Sequence, residues 1–133
     1  MDLTAVVAEL AEQLDEIEGL NVYPYPADSV TAPAALFWPE NVEYDLNMAR
    51  GSDRLTLTLW VAVGRAHDKT AWQRLAGYAS GSGTASVKEV LEAGTYTELE
   101  SVRVTGCTFG ELTVSGASYL AGLFTVDILG SGE

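Results

Sequence analysis

The stretch DRLTLTLWVAVGR, Asp53 to Arg65, decides how the fold is read. Its odd positions, Leu55, Leu57, Leu59, Val61 and Val63, make one unbroken apolar face. Alternation at period two is the signature of a β-strand with a buried side. The even positions, Thr56, Thr58, Trp60 and Ala62, are uncharged as well. A strand whose second face meets water normally places charged side chains there. Something is therefore expected to cover this second face, either one of the helices or the surface of a neighbouring subunit.

Working outward, NVEYDLNMARGSDR reads as the first arm of a hairpin. Val42 to Met48 is one strand, Ala49 to Asp53 the turn, and Arg54 to Gly64 the long return strand. Farther upstream, Pro24, Pro26, Pro33 and Pro39 rule out a helix interior and a central strand. Two short extended pieces fit there, near Leu20 to Tyr23 and Ala34 to Trp38. The N-terminal segment is helical in pattern. Leu3, Val6, Val7, Leu10, Leu14 and Ile17 recur at spacings of three or four, Asp2 can cap the start, and Gly19 suits the C-terminal end.

Downstream, Asp68 is an N-cap for a helix from Lys69 to about Ala79, with Trp72, Leu75 and Ala76 along one side. Ser80 to Gly83, SGSG, breaks it. A shorter helix spans Ser86 to Ala93; Ser86 and Glu89 have capping-box spacing, and Gly94 ends it. LESVRVTGCTFGELTVSG returns to strand, with a bulge or turn expected around Gly106 to Gly110. SYLAGLFTVDIL is the last strand. It puts Leu120, Phe124, Val126 and Ile128 on one face and Tyr119, Ala121 and Leu123 on the other. The expected order is α-β-β-β-β-α-α-β-β in a single domain over residues 1–133. It is an α+β fold with a mostly antiparallel sheet on which an N-terminal helix and a two-helix insertion pack.

Nineteen acids against seven bases give a net charge of −12. Such a chain repels phosphates and anionic membranes, though an acidic surface also serves plain solubility. One cysteine, Cys107, excludes an internal disulfide and fits a reducing compartment. The N-terminus lacks the basic start and apolar core of a signal peptide, and no apolar run reaches the length of a membrane span.

The chemistry-bearing residues are sparse. His67 and Cys107 are too few for a zinc or iron site, so no metal is expected. Cys107 lies in an apolar strand region with no neighbouring base, which describes an inert thiol better than a nucleophile. GYASGSGTAS is glycine-rich but lacks phosphate-loop spacing and its lysine. No pair of carboxylates is flanked as a general acid and base. What stands out instead is aromatic and apolar. Tyr23, Tyr25, Phe37 and Trp38 lie in proline-bounded segments, where they either complete the domain's core or form an interface. Met48, Arg50, Asp53 and Arg54 surround the hairpin turn and join them as candidate contacts with a subunit or partner. Glu9, Glu12, Asp15, Glu16 and Glu18 crowd the first helix without one base. They form a solvated face or answer to something outside the helix, since acids in a last turn oppose the helix dipole.

The chain as a whole resembles the tail terminator proteins of long-tailed phages, particularly those of actinobacteria. The likeness covers nearly its full length. An acidic N-terminal helix leads into VYPYPADSVTAPAALFWPE, then LTLTLWVAVGR, then DKTAWQRLAGYASGSGTASVKEVLEAG, and a β pair closes the chain. Head–tail stoppers and tail-completion proteins share this size and texture. The resemblance implies a structural protein of the virion neck, assembled in the host cytoplasm. Such proteins form a hexameric ring on the head-proximal end of the tail tube. The ring ends polymerisation of the major tail tube protein and meets the head–tail connector or stopper. DNA passes through the lumen without specific binding. Neither catalysis, nor a cofactor, nor a membrane is implied. Under this resemblance the acidic helix lines or rims the channel. The readings from other classes are a small acidic ligand-binding domain or enzyme, and a monomeric adaptor that docks through Phe37 and Trp38.

Overall fold

The structure is a computed structural model that describes residues 2–17, 19–23, 33–44, 52–65, 69–83, 85–114 and 116–131. Three helices and five strands follow in the order α1 (Leu3–Leu14), β1 (Asn21–Tyr23), β2 (Ala34–Glu43), β3 (Ser52–Arg65), α2 (Lys69–Ala79), α3 (Val87–Ala93), β4 (Ser101–Val114) and β5 (Ala117–Ser131). The strands form one sheet in the order β1-β2-β3-β5-β4. Only β1 runs parallel to its neighbour; the other pairs are antiparallel. The fold is α+β, as the strand-then-helix pattern requires.

The alternation in β3 sorts the whole molecule. Leu55, Leu57, Leu59 and Val61 have no exposed surface, and Val63 has almost none. They join Phe37 of β2, Phe124, Val126 and Ile128 of β5, and Val104 of β4 in one core. Val6, Leu10 and Leu14 of α1, Ala71 and Leu75 of α2, and Val87 and Leu91 of α3 close that core from above. All three helices thus lie on the same side of the sheet. Gly122 of β5 shows how tightly. A Cβ there would stand 2.9 Å from Leu75 Cδ1 and 3.3 Å from Cys107 Sγ, so glycine is what lets α2 sit down on the sheet.

Three local expectations are corrected. The pieces Ala34–Trp38 and Val42–Met48 are not separate strands; β2 runs from Ala34 to Glu43 through Pro39, with a bulge between Pro39 and Asn41. The proline is tolerated because β1 pairs only with Ala34 to Leu36, so β2 is an edge strand beyond that point. The stretch 45–48 and most of the expected turn lie outside the described residues. Secondly, α2 buries Ala71, Leu75 and Tyr78, while Trp72 and Ala76 face outward. The buried trio falls at i, i+4 and i+7, and Trp72 is one helical step off that stripe. Gly94 ends α3 as expected, with an ordinary negative φ of −71°. Its reason is space: a Cβ would come within 2.7 Å of Gln13 Cδ and of the Tyr96 hydroxyl. Lastly, the capping box at α3 is half formed. The Ser86 hydroxyl accepts from Glu89 N at 3.1 Å, but the Glu89 carboxylate takes its proton donor from Gly83 N instead. The bulge expected near Gly106 is present, between Val104 and Gly106.

Candidate functional site

With the helices on one side, the even positions of β3 meet no described element on the other. Register defines the rows of this open face. One row runs Tyr23, Leu36, Trp60, Leu123, Thr108 across all five strands. The next runs Trp38, Thr58, Thr125, Gly106. On the other flank lie Ala34, Ala62, Ala121 and Gly110. None of these residues is charged. Leu36 is nearly buried, Tyr23, Trp60 and Leu123 are half-buried, and Trp38 is 50% exposed. The three alanines are fully buried, yet they do not belong to the main core.

Among the described side chains, charge appears at the margin. Glu40 accepts a hydrogen bond from the Thr58 hydroxyl at 3.1 Å. Arg54 pairs with Glu43 at 3.4 Å, both half-exposed. Asp127, opposite Arg103, accepts from the Thr56 hydroxyl at 3.1 Å. The result is a hydrophobic and aromatic centre within a polar rim, the anatomy of a protein interface.

The structure divides the candidate interface residues. Tyr23, Trp38 and Arg54 reach the open face. Phe37 does not. It is 1% exposed and pairs with Leu59 on the helix side, so it is a core residue and is withdrawn as a contact. Asp53, expected at an exposed turn, is buried at 5% at the start of β3. Tyr25, Met48 and Arg50 lie outside the described residues, as do His67, Glu18 and the Asp68 cap.

The acidic helix is also divided. Glu12, Asp15 and Glu16 are exposed. Glu9 is a clasp within the fold. Its carboxylate accepts from Thr97 N at 3.0 Å, Glu98 N at 2.6 Å and the Thr97 hydroxyl at 3.2 Å. The backbone N–H groups of Thr97 and then Glu98 hold this carboxyl below its ordinary range. Beside it, Gln13 Nε2 donates to Val90 O at 2.8 Å and ties α1 to α3. Burial, and then the charges of Glu9 and Glu16, push the Tyr96 phenol up, so it stays a donor to Leu91 O at 2.6 Å.

Two shallow recesses lie on the helix side. One, of about 380 Å³, is lined by Glu92, Glu100, Tyr96 and their neighbours. Its Glu92 is already engaged. Burial raises its carboxyl, but Lys88 Nζ at 2.6 Å and Val104 N at 2.9 Å outweigh that and hold it low. The other, of about 420 Å³, lies between Gln13, Glu16 and Val90. Burial raises the Cys107 thiol, which disfavours the nucleophilic thiolate. Among the described residues no group of three or more His, Cys, Asp or Glu is placed to hold a metal ion, and no buried side-chain polar atom lacks a hydrogen-bond partner.

Sequence reasoning missed one exposed feature. Trp72 of α2 and Phe109 of β4 form an edge-to-face pair, centroids 5.7 Å apart at 72°, each about half exposed. The Ala71–Leu75–Tyr78 spacing carried the signal, since it turns Trp72 outward. No protein-family model and no curated protein matches the chain.

Proposed function

We infer that this chain is a structural protein of a phage neck, of the tail-terminator type, which assembles as a ring on the tail tube. One observation supports the reading beyond the resemblance in sequence order: among the described residues, the centre of one face of the sheet carries no helix and no charge, and Trp38 there is half exposed. A protein that functions alone gains nothing from half-exposed tryptophans there, whereas a ring subunit needs apolar surface for its neighbours. The exposed Glu12, Asp15 and Glu16 suit a wall past which DNA slides, because phosphates are repelled rather than held. Changing these three to Gln, Asn and Gln leaves ring assembly intact and slows DNA ejection in this reading; lost assembly with normal ejection overturns that role.

The test of the function is the DNA flanking the gene. A portal and capsid gene upstream, with a tube gene and a long tape-measure gene downstream, support the neck reading. A position immediately before the tube gene favours terminator over head–tail stopper. Metabolic or regulatory neighbours overturn both, and leave the adaptor and enzyme readings to a partner pull-down and a substrate screen.

A further inference from the structure

We propose that the connection between α3 and β4 is an acid-released latch. Two carboxylates, Glu9 of α1 and Glu92 of α3, hold it closed, and it opens when they take up protons while the sheet and its core stay folded. The connection, residues 95–99, has no regular structure to hold it. Among the described residues, none of its backbone groups bonds to another backbone group, and pairing with the sheet resumes at Glu100, whose N–H donates to Leu129 O at 2.8 Å. Leu99 is its one buried residue, and Thr95, Thr97 and Glu98 are exposed. What fixes its course is Glu9. That carboxylate accepts from Thr97 N at 3.0 Å, Glu98 N at 2.6 Å and the Thr97 hydroxyl at 3.2 Å. On the far side of the connection, the Glu92 carboxylate accepts from Val104 N at 2.9 Å, beside the bulge of β4. The recess of about 380 Å³ lined by Glu92, Tyr96 and Glu100 borders the same stretch. Helix α1 and helix α3 thus each grip the entry to β4 through one ionised side chain.

Acid acts on these grips and spares the packing beneath them. A hydrogen bond to a carboxylate is about twice as strong as one to a neutral group. A protonated carboxyl keeps one accepting oxygen and loses the charge. The Thr97 and Glu98 amides hold Glu9 below its ordinary value of 4.5. Burial raises Glu92, but Lys88 and Val104 N outweigh it and hold that carboxyl low as well. Both grips are therefore complete above 4.5 and weaken as pH falls through the depressed values. Tyr96 and Glu98 of the connection lie beside Glu9, with Glu12 and Glu16 on its own helix. Lys88 of α3, Arg103 of β4 and Glu100 across the recess surround Glu92. Lysine, arginine and tyrosine keep their protons throughout the acid range, and the neighbouring acids only lose charge, so none of them replaces what is lost. The Tyr96 hydroxyl still donates to Leu91 O, which keeps the connection tethered at one point. Val6, Leu10 and Leu14 of α1 and Val87 and Leu91 of α3 have no proton to gain, so both helices stay on the sheet. The opening is confined to the connection and the first residues of β4. It needs no partner and stands apart from the neck reading.

The test is amide hydrogen exchange, read by mass spectrometry on the full chain at about pH 7 and about pH 3, with rates corrected for the intrinsic effect of pH. The wild type is compared with Glu9→Gln, Glu92→Gln and Glu12→Gln. None of the three positions is buried, so the variants remain folded, as circular dichroism verifies. In the wild type, residues 95–104 lose protection about tenfold in acid while residues 55–63 of β3 keep theirs. Glu9→Gln exposes residues 97–98 at both pH values, and Glu92→Gln does the same at Val104. Each removes its own part of the pH response. Glu12→Gln, which removes an acid of the same helix that does not bond to the connection, behaves as the wild type does. A loss of protection shared equally by β3 overturns the proposal, because acid then unfolds the whole protein. So does a connection equally protected at both pH values, or a Glu9→Gln variant that keeps the full wild-type response at residues 97–98.

Discussion

The two faces of one sheet are built from the same five strands and differ in almost everything else. On the helix side, Leu55, Leu57, Leu59 and Val61 are sealed under three helices, and even a methyl group at Gly122 has no room. On the other side, Trp60 and Leu123 are half-buried and Trp38 is half in water. Both faces are uncharged at the centre, so hydrophobicity alone does not say which one the chain folds around. Residue size and the helices decide. The closed face is packed to solid density and holds the fold together. The other face is apolar but unevenly packed: Ala34, Ala62 and Ala121 are fully buried, while Trp38 is half in water.

The largest expected effect breaks this comparison on its closed side. Phe124 is 2% exposed and lies between the Gly122 gap and Val126. Phe124→Ala removes a buried ring and leaves a cavity, which costs about 3–5 kcal/mol. That is a large fraction of the stability of a domain this size, about 5–15 kcal/mol. Urea unfolding followed by circular dichroism measures it. A loss below about 1 kcal/mol would mean that the helix layer is not the protein's core.

A smaller effect sharpens how the helix layer is held down. Glu9 clasps the segment that leads from α3 into β4 by accepting from Thr97 N and Glu98 N. Its folded pKa is below the ordinary value of 4.5, so its contribution is complete above that value and is lost as pH falls through the depressed one. Glu9→Gln keeps the shape and removes the charge. Thermal midpoints from pH 7 to pH 3 compare the two. The wild type is the more stable at neutral pH, and the gap narrows below about pH 4.5. A gap that is constant with pH would show that the clasp depends on packing and not on the carboxylate.

Much of this was legible in the sequence, and the parts that were not share a cause. Strand β3 and the two faces of β5 follow from alternation alone, and α1 and α2 from spacing. These are local signals, carried by residues that speak for themselves. The pair Phe37–Trp38 shows the limit. Adjacent strand residues must face opposite sides, so only one of the two could be a surface contact. Ala35, Leu36, Phe37 and Trp38 carry no polarity to say which. The answer comes from register with β3, where Phe37 meets Leu59 and Trp38 meets Thr58. The continuity of β2 through Pro39 is equally non-local, because it depends on how short β1 is. The role of Glu9 depends on Thr97, 88 positions farther along the chain. The Trp72–Phe109 patch likewise joins a helix and a strand that only the folded chain brings together. Surfaces assembled from distant segments have no local periodicity to read.

The smallest expected effect tests the open side. Trp38 is large, aromatic and adjacent to the buried Phe37, yet half of it meets solvent. Trp38→Ser in the dissociated protein therefore costs about 1 kcal/mol, well below the loss at Phe124. The same urea titration used for Phe124→Ala, run at a concentration where the chain is monomeric, makes the contrast direct. Two aromatic residues in one sheet then differ severalfold in what they contribute to the monomer. A loss near 3 kcal/mol at Trp38 would reverse the argument. The second face would then be part of the monomer's own core, and its uncharged rows would belong to folding and not to assembly.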